Sequence, residues 1–280
     1  MRSLCSDRLL ASNAGEFARR LGVTVEVPWV GVRDASRRRD VAEGTRVVKG
    51  WREILDDPSV PIVVELAGGA ETPLPLVREA LKRRKHVITA NKAMLSAHGQ
   101  ELLTLAAENG VELKFEAAVC GGIPIIKVLQ ESLMGNRVAS VVGIVNGTTN
   151  YILTRMTEEK LSFADALAQA QAKGFAEADP SMDVGGGDAA QKIGLLASLA
   201  FGCWIEPADV LCEGISRVDP RDIEFCRDSG FLFKLVAQAR MMGSAPLVTV
   251  YPALVPVDHP GSFDLFRERQ YTSRQNYWSV

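Results

Sequence analysis

The first part of the chain alternates short apolar runs with stretches of helical periodicity. From residue 23 to about residue 119, β-branched and apolar runs of strand length are separated by segments with a helical pattern of apolar positions. Strands that alternate with helices in this way are typical of crossover connections in a parallel sheet. The pattern therefore predicts an α/β domain.

Turn and cap residues give approximate bounds for these elements. Ala67, Gly68 and Gly69 end the second predicted strand, where glycine allows a sharp turn. Thr72 and Pro73 suit a helix start, as N-cap and first helical residue. The predicted strands are residues 23–32, 61–66, 86–89 and 111–119, and the predicted helices run from residue 73 to the basic residues 82–85 and over residues 96–109.

The pattern changes after Gly122. An amphipathic helix (residues 124–133) and a β-rich stretch (138–145) are followed by long helices at roughly residues 150–159 and 163–173. Such mixed elements predict a second domain of α+β character. We therefore expect one domain over residues 1–123 and another over residues 124–280.

Composition and charge narrow the function. The 280 residues are 47% hydrophobic, with 32 basic residues against 34 acidic ones. This composition predicts a folded protein that binds a small molecule. It argues against binding to nucleic acid or to a membrane surface. The longest apolar stretch, residues 193–204, is shorter than a ~20-residue membrane span. The five cysteines lack CxxC spacing, which argues against a disulfide framework and a zinc site. We therefore expect the protein to reside in the reducing cytoplasm.

Residues 174–204 carry the most informative chemistry. Four acids (Glu177, Asp179, Asp183 and Asp188) occupy a loop with three consecutive glycines that leads into a helix. In that helix Asp188 and Lys192 are four residues apart and share a face. A surface ion pair is one interpretation. The helix is otherwise almost wholly apolar, however, and buried charges persist when they are paired or used.

A pocket lined by this pair would suit an amino-acid substrate. Carboxylates attract an ammonium group, and a partly desolvated lysine can donate a proton. The acids do not follow the spacing of an EF-hand loop.

Two further stretches are candidates. Thr89, Asn91 and Lys92 follow a predicted parallel strand, at the edge where open α/β sheets bind ligands, although a solvated loop is an equal alternative. Residues 145–151 lead from a strand into a helix with several possible caps, and capping alone would explain them.

Four stretches of the chain resemble the homoserine dehydrogenase family, in the family's order. They are VELAGG (64–69), HVITANKAML (86–95), GIVNGTTNYIL (143–153) and GFAEADPSMDVGGGDAAQKIGLLASLAFG (174–202), within a resemblance over roughly residues 13–260. It implies that residues 1–123 form an NAD(P)-binding, Rossmann-like domain and that residues 124–280 form the catalytic and substrate domain.

The resemblance also implies a reaction and its residues. It implies interconversion of L-homoserine and L-aspartate 4-semialdehyde by hydride transfer, in the biosynthesis of threonine, methionine and isoleucine. Lys192 is then the proton donor and acceptor, and Glu177 and Asp188 bind homoserine with Asp183 as a helper. Lys92 is a second lysine facing the site.

The cofactor implied is NADP or NAD. Gly174 resembles a position that approaches it, and Thr89, Asn91 and Lys92 lie where they would reach it. After the first predicted strand come Arg33, Asp34 and the basic residues 37–39. Basic residues there suit a 2′-phosphate and an acid suits a free ribose, so NADP is mildly preferred.

A cation and an oligomer follow from the same resemblance. Glu116, Val119, Gly121 and Ile123 resemble a loop in which a carboxylate and backbone carbonyls hold sodium, a set that suits a hard cation. The second domain of such enzymes pairs, which implies a homodimer or homotetramer.

The chain also departs from the family pattern. Residues 1–7 stand where the family has a strand and a GxGxxG turn, which predicts an incomplete phosphate site and an exposed strand edge. The resemblance ends near residue 260. Two alternatives therefore stay open: a catalytically impaired module that binds or oligomerises, and a semialdehyde dehydrogenase with Cys120 as nucleophile.

Overall fold

The computed structural model describes residues 9–36 and 39–259, and the backbone of residues 277–279. Contacts divide the chain into two compact units. The first comprises residues up to Met94 and His98–Lys114, and the second comprises Leu95–Ala97 and the residues from Phe115 onward. The expectations for residues 1–7, Arg37, Arg38 and residues 261–276 lie outside the described residues.

The first unit consists of short parallel strands and helices. Its helices are α1 (Ala14–Leu21), α2 (Arg52–Asp56), α3 (Leu74–Lys82) and most of α4 (Lys92–Glu108), and its strands are β1 (Trp29–Val32), β2 (Arg46–Lys49), β3 (Ile62–Glu65), β4 (His86–Thr89) and β5 (Leu113–Lys114).

Every strand pair described in this unit is parallel, which confirms the predicted α/β class. β1 pairs with β2, β3 with β4, and β4 with β5. The pairs form two separate sheets, so among the described strands β1 and β3 each have a partner on one side only.

One face of the three-stranded sheet is buried and the other is open. Val63 and Val87 are buried, while Val64 and Ile88, one residue further along each strand, are exposed. The alternation follows from the two-residue period of a strand. Helix α3 packs on β4 and buries Leu81 completely.

A buried lysine just before β4 binds the loop that leads into β3. Lys85 is 6% exposed, and its ammonium donates to the carbonyl oxygens of Asp57 at 2.7 Å and Val60 at 2.6 Å. The Trp29 indole donates to the Asp57 carboxylate at 2.8 Å. Hydrogen bonds from Ser59 and Trp29 lower the pKa of Asp57 to about 2.

The second unit is built on a five-stranded sheet with helices packed on it. Its helices are α5 (Ile125–Lys127, continued by a π turn over Val128–Ser132), α6 (Gly147–Glu158), α7 (Phe163–Ala172), α8 (Ser181–Val184), α9 (Gly187–Phe201) and α10 (Pro220–Asp228), and its strands are β6 (Ser140–Ile144), β7 (Leu211–Cys212), β8 (Phe231–Met242), β9 (Ala245–Pro256) and β10 (Tyr277–Ser279).

The sheet order is β10-β6-β8-β9-β7, and α9 packs against β6, β8 and β9. The long hairpin of β8 and β9 is antiparallel, with Met242 opposite Ala245. Gly243 in the two-residue turn has a φ of 67°, which glycine adopts without a steric penalty. Helices packed on a largely antiparallel sheet confirm the predicted α+β character.

Two predicted strands are shorter than expected. The strand expected over residues 23–32 begins at Trp29, because Pro28 has no N–H to donate to a ladder. The strand expected over residues 111–119 covers only β5, because the chain turns into a 3₁₀ helix at Glu116–Ala118.

Two predicted helices begin earlier than expected, because asparagine side chains cap them. Asn91 accepts a hydrogen bond from the Met94 N–H, so α4 begins at Lys92 rather than at residue 96. Asn146 accepts from the Thr149 N–H, so α6 begins at Gly147 rather than at residue 150. None of the helices in the described ranges is long and apolar enough to cross a membrane.

Candidate functional site

A glycine turn brings two predicted carboxylates together in the second unit. Asp183 lies in α8 and Asp188 in the first turn of α9. Between them Gly186 has a φ of 84°, and a Cβ at this position would lie 2.8 Å from Cys212 Sγ. Glycine meets both restrictions, so the tight connection between the two helices depends on a glycine at position 186.

Asp188 and Lys192 form the predicted ion pair. Lys192 Nζ lies 2.6 Å from Asp188 Oδ2, and the two side chains are 16% and 11% exposed. The same ammonium donates to the Val145 carbonyl oxygen at 2.8 Å. The pair is thus largely buried and hydrogen-bonded, rather than a solvated surface pair.

Asn146 joins this pair to Asp183. Its Nδ2 donates to Asp183 Oδ1 at 2.7 Å and to Asp188 Oδ2 at 2.9 Å. The sequence predicted a cap at this position, and the contact with the Thr149 N–H confirms that role. The contacts with two acids were missed, because nothing in the local pattern shows where the amide group of a cap points.

The cluster leaves two groups available to a ligand. An ammonium group has three N–H donors, and two of those on Lys192 are used. Asp183 accepts from a neutral amide and has no ion pair with any residue in the described part of the chain. A hydroxyl or carbonyl oxygen beside Lys192 and an ammonium beside Asp183 are the ligand groups that this arrangement fits.

Two other predicted residues lie on the neighbouring segment. Thr148 donates to the Phe175 carbonyl oxygen at 2.8 Å, which ties the start of α6 to the residues after α7. Gly174, with a φ of 72°, and Glu177 are exposed there. The Glu177 carboxylate makes no hydrogen bond within the described ranges, so the cluster does not include it.

The cofactor candidates of the first unit lie at the carboxyl ends of its strands. Thr89 and Asn91 are buried: Thr89 donates to Glu65 Oε2 at 2.5 Å, and the Asn91 amide donates to the Gly69 carbonyl oxygen at 2.7 Å. Lys92 begins α4 directly after them.

Glu65 is a further residue at this edge that sequence reasoning missed. Its side chain is 1% exposed, and Oε1 has no hydrogen-bond partner among the described atoms. Burial raises the pKa of Glu65, while the hydrogen bond from Thr89 lowers it by less. The alternating strand pattern places Glu65 on the buried face of β3, and a buried acid is the signal by which the sequence alone could identify it.

Arg33, the basic candidate for cofactor binding, is exposed directly after β1.

The predicted cation loop is a tight turn in the second unit. Both Glu116 carboxylate oxygens accept backbone N–H groups, from Ile126 and Lys127, at 2.9 Å each. Cys120 and Gly121 have φ values of 61°, so the turn presents its carbonyls in an unusual backbone conformation. Each carboxylate oxygen keeps a further lone pair, and carboxylate oxygens are the kind of ligand that hard cations prefer. The described residues contain no group of three or more His, Cys, Asp or Glu that fits a metal ion.

Cys120 does not fit the role of a nucleophile. Its side chain is buried, with 1% exposure. A reactive thiol needs access to its substrate.

Comparison with protein families gives two matches. A family described as homoserine dehydrogenase matches residues 124–263. A family described as the NAD-binding domain of homoserine dehydrogenase matches residues 7–116.

Individual proteins agree with these matches. The homoserine dehydrogenase of Synechocystis is 48% identical over 241 residues, which are 84% of this chain and 56% of that protein. The crystal structure of a homoserine dehydrogenase from Thiobacillus denitrificans has a TM-score of 0.86 and 39% identity, and covers 91% of this chain and 59% of that one. A hyperthermophilic archaeal homoserine dehydrogenase in complex with NADPH has a TM-score of 0.66 and 30% identity, over 78% and 64% of the two chains. The chain thus spans a little more than half the length of the Synechocystis and Thiobacillus proteins.

Proposed function

Because the chain belongs to the homoserine dehydrogenase family, we propose that it interconverts L-homoserine and L-aspartate 4-semialdehyde with a nicotinamide dinucleotide. The observation that carries the proposal is the cluster of Asn146, Asp183, Asp188 and Lys192. In this proposal residues 1–123 hold the cofactor and residues 124–280 hold the substrate.

Lys192 is the proposed proton donor and acceptor. Val145 and Asp188 hold its ammonium group in place with two hydrogen bonds and leave one N–H for the substrate oxygen. When the aldehyde is reduced, its oxygen becomes an alkoxide, which an adjacent ammonium stabilises and protonates. In the oxidation of homoserine the same nitrogen takes up the hydroxyl proton.

Carboxylates bind the substrate's ammonium group in this proposal. Asp183 offers a charge that no cation in the described part of the chain neutralises, and Asp188 lies beside it. Glu177, exposed on the segment before α8, adds a third negative charge at the substrate.

The first unit is the proposed cofactor site. Dinucleotides bind α/β folds at the edge formed by the carboxyl ends of the strands. At this edge lie the turn after β3, the buried Thr89 and Asn91, and Lys92. The approach of Gly174 to the cofactor, which the family resemblance implies, stays a prediction. The bound cofactor supplies the hydride acceptor. Arg33 after β1 and the NADPH complex of the archaeal relative favour NADP over NAD.

We further propose that Na⁺ binds at Glu116 and at the carbonyl oxygens of Val119, Gly121 and Ile123. A bound cation stabilises the folded state by mass action. Melting temperatures should therefore be higher in sodium chloride than in choline chloride, and Glu116→Gln should remove the difference. Equal melting temperatures in the two salts would contradict the site.

A homodimer, or a homotetramer built from it, is the proposed assembly. On the hairpin face opposite the buried Val248 and Val250, Leu247 and Tyr251 are 43% and 37% exposed. Sedimentation should give twice or four times the monomer mass of 30.4 kDa.

We also propose a cytoplasmic location. The four cysteines of the described ranges are free, which supports this location.

Two titrations of the purified chain test the proposed activity. NADPH binding is followed by nicotinamide fluorescence, and L-homoserine binding by calorimetry, with L-serine as a ligand one carbon shorter. NADP should then be reduced on addition of L-homoserine but not of L-serine. Binding of L-homoserine without any binding of millimolar NADPH would favour the impaired module, and no preference for L-homoserine would contradict the substrate.

A further inference from the structure

The Asn146 side chain uses its whole hydrogen-bonding capacity inside the site. Its two N–H donors go to Asp183 and Asp188, and its oxygen accepts from the Thr149 backbone N–H at 2.8 Å and the Thr149 hydroxyl at 2.9 Å. The orientation of the amide is fixed, because the Thr149 N–H can only donate and ionised carboxylates can only accept. Asn146 is 3% exposed, so solvent offers no alternative partners.

Capping of α6 does not explain the amide group. A cap needs an oxygen acceptor, and a serine hydroxyl supplies one at the start of α7, where Ser162 accepts from the Asp165 N–H at 3.1 Å. At Asn146 the side-chain oxygen is the cap, because it accepts the hydrogen bond from the Thr149 N–H. The two contacts of Nδ2 are additional, and they reach 37 and 42 residues along the chain.

The amide holds two like charges close together without neutralising either. Lys192 balances Asp188, and both Lys192 and Asn146 donate to the same Asp188 oxygen, Oδ2. Among the described residues, the Asp183 carboxylate receives a hydrogen bond only from the neutral Asn146 amide. A lysine or arginine in place of Asn146 would neutralise Asp183, and an apolar residue would leave two carboxylates to repel each other.

We propose that Asn146 is a positioning residue that places the charged Asp183 beside the Asp188–Lys192 pair. Asp183 then offers its charge to the ligand's ammonium group, while Lys192 keeps one N–H for the ligand's oxygen. This inference rests on the proposed function. It assigns to Asn146 the discrimination between an amino acid and the same molecule without its amino group.

Asn146→Ser isolates this role, because serine keeps the capping oxygen and removes both amide donors. The matched control is Ser162→Ala, which removes a cap in the same unit and leaves the cluster intact. For each protein, calorimetry gives the dissociation constants of L-homoserine and 4-hydroxybutanoate, which lacks the amino group. Thermal unfolding reports the stability of each variant.

In the wild type L-homoserine should bind more tightly than 4-hydroxybutanoate. Asn146→Ser should weaken L-homoserine binding about tenfold, as expected for hydrogen bonds to a charged group, and leave 4-hydroxybutanoate binding nearly unchanged. Ser162→Ala should preserve the ratio of the two constants. A general loosening of the fold would weaken both ligands together and so would leave that ratio unchanged.

A double-mutant cycle gives a second measurement. Asp183→Asn is close in shape to the wild type, and its effect on L-homoserine binding should not add to that of Asn146→Ser if Asn146 acts through Asp183. Additive effects, or a wild-type ratio in Asn146→Ser, would overturn the positioning role and leave the proposed function standing. Equal binding of both ligands by the wild type would overturn both.

Discussion

Lys192 Nζ donates to Asp188 Oδ2 at 2.6 Å, one turn earlier in the same helix, and to the Val145 carbonyl oxygen at 2.8 Å, directly after strand β6. The ammonium group therefore joins helix α9 to the residue that precedes Asn146. Both side chains are largely buried, so their attraction is weakly screened by solvent.

Lys192→Ala should greatly reduce turnover without unfolding the chain. Loss of a positioned proton donor lowers a rate by about 10² to 10⁴. Asp188 keeps its hydrogen bond from Asn146, so we expect a loss of stability of about 1–3 kcal/mol, less than for a fully orphaned buried charge. Steady-state assays and urea unfolding measure the two effects, with the exposed Lys82→Ala as control. Retained turnover would contradict the role of Lys192.

The core of the site could be predicted from local spacing. Asp188 and Lys192 are four residues apart in an apolar helix, so their pairing follows from helix geometry. Asn146 could not be placed in the same way, because its partners lie on helices that only the tertiary fold brings to it. The exposure of Glu177 is equally a tertiary property.

The fold could be predicted best where the hydrophobic period is strong. The strand at residues 86–89 has the predicted bounds, and the helix predicted over residues 163–173 differs by one residue. The predicted strand at residues 111–119 is wrong beyond Lys114, because Glu116 binds the start of the next helix and the chain turns at Cys120 and Gly121. The boundary at residue 123 stays a prediction.

Gly214→Ala should destabilise the second unit and distort the site. A Cβ at this position would overlap the Val184 carbonyl oxygen and lie 2.6 Å from Gly185 Cα, both backbone atoms between Asp183 and Asp188. Because backbone must move, we expect a loss of about 1–3 kcal/mol and weaker L-homoserine binding. Gly135→Ala, with nothing within 4 Å of its Cβ, is the matched control. Urea unfolding measures the stability of the two variants, and calorimetry measures their L-homoserine binding. Equal stability and equal binding in Gly214→Ala and Gly135→Ala would contradict the close packing at Gly214.

Lys85→Met should destabilise the first unit. The variant keeps an apolar chain of similar length but removes the ammonium that binds the Asp57 and Val60 carbonyl oxygens. Two hydrogen bonds to a charged donor are lost, so we expect a cost of about 2–4 kcal/mol. The urea midpoint, followed by tryptophan fluorescence, measures it. The same change at the exposed Lys82 should have little effect, and equal midpoints for the two variants would show that the buried contacts contribute nothing.

Glu65→Gln should change how stability depends on pH. Burial raises the pKa of Glu65 above its ordinary value of 4.5, so the folded state favours the protonated carboxyl. The stability from this preference is fully present below pH 4.5 and is lost as pH rises through the folded pKa. Glutamine resembles the protonated form at every pH. The variant should therefore gain on the wild type by at most about 1.4 kcal/mol per pH unit within that window, and the gain should level off above it.

Urea unfolding of the Glu65 variant at a series of pH values measures this gain. Glu108→Gln, at an exposed position of α4, controls for the loss of one negative charge. A wild type that becomes more stable relative to Glu65→Gln as pH rises would mean that the folded state prefers the ionised carboxylate. The unpartnered Oε1 would then need a hydrogen-bond donor in solution, because a buried carboxylate oxygen without one is costly.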